Sequence, residues 1–288
     1  MGTQLLSFDL YLWLPKEYNK LLRRAEELTR NILSRPNDWP MDSIYTLSLK
    51  ASGQFGPIKF INTCVPDSYL VALYNCYIKY DYIASLFNFF EKLRAPMVFL
   101  RAEMYNEAKA SWLFWSQFNI TKDASEKDKY VTDAWSEPED HLHMFNDLLV
   151  SNDKLSKFQH LGNVHALGLE NLHPLLILVD IHQGMDTAPL LHIEDDYYRT
   201  YELQFLLMSR TSFSTHMIVG LNLFDRWVFY DNEDPSYEDF NLDFNGDFII
   251  HFAGYVRTQN VQFGVAEEGC YGAVPFNHSF GFQKEHID

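Results

Sequence analysis

The pattern of apolar and polar positions changes character near residue 170. Pro15 and the stretch Lys16–Ser34 set Leu21, Leu22, Ala25, Leu28, Ile32 and Leu33 at helical spacing, with Pro36 as a stop. A second helix is expected to begin around Pro66, since proline suits a first turn, where its missing N–H leaves nothing unpaired. It continues through Ser68–Tyr80. Tyr82–Leu93, Pro96–Phe118 and Ser136–Val150 predict three more helices, and Trp112, Phe114, Trp115 and Phe118 suggest a packed aromatic seam. Beyond residue 170 the apolar runs are strand-sized: Pro174–Ile181, Leu203–Met208, Met217–Phe224, Trp227–Tyr230 and Asp247–Val256. Phe224-Asp225-Arg226-Trp227 reads as a tight turn, which pairs Met217–Phe224 with Trp227–Tyr230 in a hairpin. Helices first and strands later predict an α+β fold rather than alternating βαβ units. The organisation expected is a helical extension over 1–40 and one domain over 41–288, helical to about 165 and β from about 166.

Composition narrows the function classes. The chain of 288 residues is 47% hydrophobic and 16% aromatic, enough for a sizeable core, so whole-chain disorder is excluded. Its formal charge of −16 repels phosphate backbones, which argues against nucleic-acid binding and favours a basic protein or peptide partner. No apolar run approaches the roughly 18–20 residues of a membrane span, and Met1–Leu14 lacks the basic start of a signal peptide. Three cysteines without a C-x-x-C pair exclude a disulfide scaffold and a zinc ribbon. No cofactor or metal is called for, and a reducing cytoplasmic or nuclear setting and a monomer are expected.

Cysteine chemistry is the strongest local signal. In Asn62-Thr63-Cys64-Val65-Pro66-Asp67 a polar turn places Cys64 just ahead of a helix start. The unpaired N–H groups and positive dipole end there favour a thiolate and an oxyanion. The bland alternative is a small hydrophobe buried at a helix start. A base is needed, and His216 opens an apolar strand whose hairpin partner closes on Asp231 and Asn232. Asp231 can then fix the tautomer of His216 and leave its other nitrogen to face the thiol. Asn232 is the alternative in that third role.

Together these residues resemble papain-fold cysteine peptidases of the ubiquitin-specific protease type: an N-T-C start to a central helix, then a distant His, strand, turn, Trp-x-x-Tyr-Asp. The segment Asn62–Tyr74 is most similar to the divergent SUMO-isopeptidase-like branch and to domains of mobile-element proteins. The resemblance covers about residues 54–80 and 203–234. It implies a papain-like catalytic domain over 41–288, with Cys64 as nucleophile, His216 as base and then acid, and Asp231 as orienter. It implies a thiol-dependent peptidase or isopeptidase that removes ubiquitin, SUMO or a similar modifier. The family's oxyanion-side Asn has no match in Ile58–Ile61, which leaves Gln54, in a Gly-flanked loop, or Asn62 for that role. The family's zinc-binding cysteine pairs are absent from the sequence.

Glu194, Asp195 and Asp196 are expected to line a groove for the basic, Gly-ended modifier tail. The departure at the oxyanion position keeps a second class open: a catalytically inactive papain-like module that binds a modifier or protein partner. Acyl transfer to small amines is a third. His141-Leu142-His143 has the spacing of a metal pair only on a strand, and it falls in a predicted helix. Cys76 is read as structural and Cys270 as lying in a loop near His278.

Overall fold

The computed structural model describes residues 8–33, 47–116, 120–123, 129–170, 173–181, 189–223, 226–242 and 247–258. Along the chain the elements are α1 (Phe8–Leu33), β1 (Gly53–Phe55), β2 (Ile58–Ile61), α2 (Cys64–Lys79), α3 (Asp81–Phe89), α4 (Glu91–Arg101), α5 (Tyr105–Trp115), β3 (Ile120–Lys122) and β4 (Tyr130–Asp133). A 3-10 helix over Pro138–Leu148 and α6 (Ser156–Gln159) lead into β5 (Gly162–Leu167), β6 (Leu176–Ile181), β7 (His192–Glu194), β8 (Thr200–Arg210), β9 (Phe213–Leu223), β10 (Arg226–Asp231), β11 (Ser236–Asp239) and β12 (Phe248–Arg257). The fold is α+β.

The larger sheet runs β11-β10-β9-β8-β12-β6-β5, with β7 added against β8, and its pairs are all antiparallel. The expected hairpin is present: β9 pairs with β10 from Arg226↔Leu223 to Tyr230↔Val219. Its connecting turn lies outside the described residues. A small sheet, β1-β2-β4-β3, sits within the helical half and includes one parallel pair, β2 with β4. The sequence pattern does not reveal it, because strands of three or four residues are too short to show a period.

α2 occupies the middle of the molecule. Every residue from Cys64 to Tyr77 is buried, as expected of a helix covered on all sides. It packs on β8 and β9 on one side and on α3, α4 and α5 on the other. Several predicted boundaries move. The helix expected over Tyr82–Leu93 is broken at the extended Phe90 into α3 and the start of α4, and that expected over Ser136–Val150 is the 3-10 helix. α1 continues N-terminally through Pro15, because its stripe of Leu21 and Ala25, flanked by Leu14, Leu22 and Leu28, is held against α4 and α5. That packing outweighs the one backbone bond a proline removes. The single helix expected over Pro96–Phe118 is divided, because Glu103 adopts a left-handed φ of 56°. Its N–H bonds to Leu100 and that of Met104 to Phe99, a Schellman end that closes α4 before α5 begins.

Trp112 stacks on Tyr69 of α2 at 5.9 Å, while Phe114 and Trp115 meet Tyr18 of α1. Phe118 lies outside the described residues.

Candidate active site

Cys64 is the first residue of α2. β2 delivers the chain to it through Asn62, whose φ of 55° is left-handed, a conformation asparagine tolerates. The Asn62 amide is pinned by donation to Asp133 Oδ1 at 3.0 Å, and β4 holds Asp133 beside Ile61. The first bond of the helix runs from the Asp67 N–H to the Thr63 carbonyl at 2.9 Å. Pro66 has no N–H, so the N–H groups of Cys64 and Val65 have no acceptor within the helix. They form the positive mouth of a buried helix, and Cys64 there keeps 8% exposure.

His216 arrives from the other layer. The β8–β9 register jumps from Ser209↔Met217 to Arg210↔Phe213, so Ser214–His216 bulge out of the ladder, and a bulge re-aims side chains. His216 Nε2 lies 2.8 Å from Asp231 Oδ1, and Nδ1 lies 3.7 Å from Glu233 Oε1. Cys64 stands close enough to this ring to act on its charge. The Asp231 hydrogen bond first, then Cys64, raises the His216 pKa to about 10 against the opposing effect of burial, with help from the Asp231 and Glu233 charges. At neutral pH the ring is therefore an imidazolium. Burial pushes Asp231 up, but the His216 hydrogen bond, the Glu233 N–H and the imidazolium charge outweigh it and hold the carboxyl below its usual value. The arrangement is a sulfur, a cationic ring and a carboxylate in series at a helix mouth.

The other residues singled out from sequence stand elsewhere. Asn232 does not touch His216: its amide donates to Asp67 Oδ2 at 2.7 Å, because the residue after Asp231 turns inward beneath α2. Gln54 shares the exposed face of the β1–β2 hairpin with Lys59, and its amide folds back on the Gly56 carbonyl at 2.9 Å. The acidic run Glu194-Asp195-Asp196 lies apart from Cys64 and His216. Glu194 pairs with Thr200 at the start of β8, whereas His216 adjoins its far end, about 30 Å away at roughly 3.3 Å per residue. Asp195 is fully engaged by Arg199 at 2.6 Å and by the N–H groups of Tyr197 and Arg199. Asp196 accepts from Ser156 at 2.6 Å, and Glu194 lies 3.8 Å from Lys157.

His141 and His143 do not converge. Trp112 donates to His141 Nδ1 at 3.0 Å, and His141 Nε2 meets Ser136 Oγ at 3.0 Å. Burial lowers the His141 pKa to about 3. Among the described residues no cluster of His, Cys, Asp or Glu is arranged to hold a metal. Cys270 and His278 lie outside the described residues.

Four residues at the site escaped the sequence reading. Asp67 and Lys109, both buried, face each other at 2.8 Å below the helix start. Lys109, a charge among Ala108, Ala110, Ser111 and Trp112, is the one visible signal. Asp133, the last residue of β4, and Glu233, in the turn after β10, carry no local mark. Asp133 also lines a cleft of about 810 Å³ with Trp115, Trp135, Ser136, Asp140 and His143.

No protein-family model matches the chain, and no curated protein matches it. Among solved structures, a chain of the SAGA Ubp8/Sgf11/Sus1/Sgf73 DUB module is similar at 10% identity with a TM-score of 0.37. The match covers 81% of this chain and 73% of that one. The likeness is distant.

Proposed function

We propose that the chain is a thiol hydrolase that cleaves the peptide or isopeptide bond after the C-terminal glycine of ubiquitin, SUMO or a related modifier. The observation that carries the chemistry is the series Cys64–His216–Asp231, with the sulfur at the open mouth of α2 and the imidazole hydrogen-bonded to Asp231 and standing beside Cys64. The substrate class rests on the resemblance of Asn62–Tyr74 and on the net charge of −16, which suits a basic tail. A reducing compartment such as the cytoplasm or nucleus would keep the thiol free.

The Cys64 sulfur, its proton held on His216, attacks the glycine carbonyl carbon. The carbonyl oxygen becomes an oxyanion stabilised by the helix-mouth N–H groups of Cys64 and Val65. Asn62 is the proposed side-chain donor, because its amide has a second N–H beyond the one given to Asp133. Collapse breaks the C–N bond, and His216 gives its proton to the departing amine. The thioester left on Cys64 is attacked by water, whose proton passes to His216, and the modifier leaves with a free carboxylate. Asp231 keeps the ring oriented throughout.

A second reading, binding without cleavage, is favoured by the small exposure of Cys64, 8%. Modifiers bearing a C-terminal electrophile separate the two. Hydrolase action predicts a covalent adduct with at least one of a ubiquitin and SUMO panel, lost in Cys64→Ala. Binding that is measurable, forms no adduct and is unchanged by Cys64→Ala leaves only the second reading.

A further inference from the structure

Directly beneath Cys64 lies a polar cluster that the bond-breaking steps do not use. Asp67 is 0% and Lys109 2% exposed. Three donors converge on Asp67 Oδ2: the Thr63 hydroxyl at 2.6 Å, the Lys109 ammonium at 2.8 Å and the Asn232 amide at 2.7 Å. Lys109 Nζ also donates to Thr63 Oγ1 at 3.1 Å and to the carbonyls of Ser52, at 3.3 Å, and Lys50. The Asn232 carbonyl accepts from the Ala51 N–H at 2.9 Å, and the Tyr230 hydroxyl donates to the Leu49 carbonyl at 2.7 Å. Four separate stretches of chain therefore meet here: the loop before β1, the start of α2, the middle of α5 and the end of β10.

Stability alone does not call for such a cluster. Taking an ion pair out of water costs about as much as the pair returns, and apolar residues of similar volume often hold a fold as well. Burial pushes the Asp67 carboxyl up, opposed by the Lys109 charge and the three hydrogen bonds. Directed polar contacts add a fixed distance and register between elements. The register at stake is that of Asn232, peptide-bonded to Asp231. The contacts run in series from Cys64, one helical turn to Asp67, then Asn232, Asp231 and His216, which stands beside Cys64.

We infer that Asp67, Lys109 and Asn232 form a buried latch that sets the position of Cys64 against His216, and that they are positioning residues for the thiol. Only its consequence for turnover rests on the hydrolase reading. The alignment itself can be measured without any modifier.

Two designs test the latch in the full chain. Asn232→Leu cuts the tie between α2 and β10 and leaves the Asp67–Lys109 pair. Asp67→Leu with Lys109→Met replaces the charges with apolar groups of similar size. The readouts are the NMR titration of the His216 ring and the rate at which iodoacetamide alkylates Cys64 at pH 7, followed on its own peptide. The latch predicts folded variants whose His216 midpoint falls from about 10 by at least about one unit, as its partners separate. It predicts slower alkylation of Cys64, by about 10-fold or more, and kcat lowered by about 100-fold with KM retained. A folded Asn232→Leu with titration and alkylation unchanged overturns it, and so does an Asn232→Leu that cannot fold, which would make the cluster plain scaffolding. Shifted titration and alkylation, in a protein whose wild type turns over no modifier, uphold the latch and sink the hydrolase reading alone.

Discussion

The two ends of α2 carry the same functional group in opposite conditions. Cys64 stands at the N-terminus with 8% exposure, helix-start amides behind it and the His216 ring beside it. Cys76, about three turns further on, is 0% exposed, and burial pushes its thiol up to about 12 against the weaker pull of Lys79. Side-chain chemistry is identical; place on the helix is not. One end meets a sheet bulge that brings an imidazole to it, and the other ends among apolar neighbours. On the proposed function, the difference between the two thiols is a property of the helix mouth and of what the sheet brings to it.

The sharpest way to break the comparison is to exchange the sulfurs' fates. His216→Ala is expected to lower hydrolysis and probe labelling at Cys64 by about 10³-fold or more, while alkylation of Cys76 stays negligible. Equal labelling of both cysteines by mass spectrometry would erase the distinction. Next in size is the oxyanion side. Asn62→Ala is expected to lower kcat by about 100-fold, whereas Gln54→Ala, on the exposed hairpin face, leaves it within about two-fold of wild type. Reversal of that order in steady-state assays would move the role to Gln54.

A smaller effect concerns the proton. His216 is held near 10 chiefly by Asp231, so the alkaline limb of kcat/KM reports loss of the imidazolium. Asp231→Asn should draw that limb toward lower pH and lower the maximum. The same linkage acts on stability: the raised value contributes stability fully present below the unfolded value of about 6.5 and lost as pH rises through about 10. The difference in denaturation free energy between wild type and His216→Ala should shrink across that window. A constant difference would show that the ring is not held as the cation.

The smallest expected effect is at the inert end. Cys76→Ala should cost about 1 kcal/mol of stability, from lost packing, and leave kcat unchanged. Lowered kcat in a folded Cys76→Ala would mean that the far end of α2 takes part in the site.

The closeness of His216 and Asp231 at one end of the sheet was foreseeable because each part has a local signature. Pro66 marks the helix start, the apolar run after His216 marks a strand, and the turn before Trp227 marks a hairpin that returns Asp231 to the same end. The bulge at Ser214–His216 had none, since it arises from the mismatch between β8 and β9 and not from either alone. Glu194-Asp195-Asp196 shows the converse. An acidic run looks alike whether it lines a groove or is consumed by Arg199, Lys157 and Ser156 at the other end of a strand.

The sequence by itself determined the longer local states: which long segments coil, which long runs extend, and which thiol heads a helix. Propensity, proline chemistry and apolar spacing act over a few residues and are written in order along the chain. Only the tertiary structure decided what stands beside that thiol. Asp67 meets Lys109 across 42 positions and Asn232 across 165, and Asp133 meets Asn62 across 71. Such encounters follow from how the layers close on α2, which no stretch of sequence can state alone.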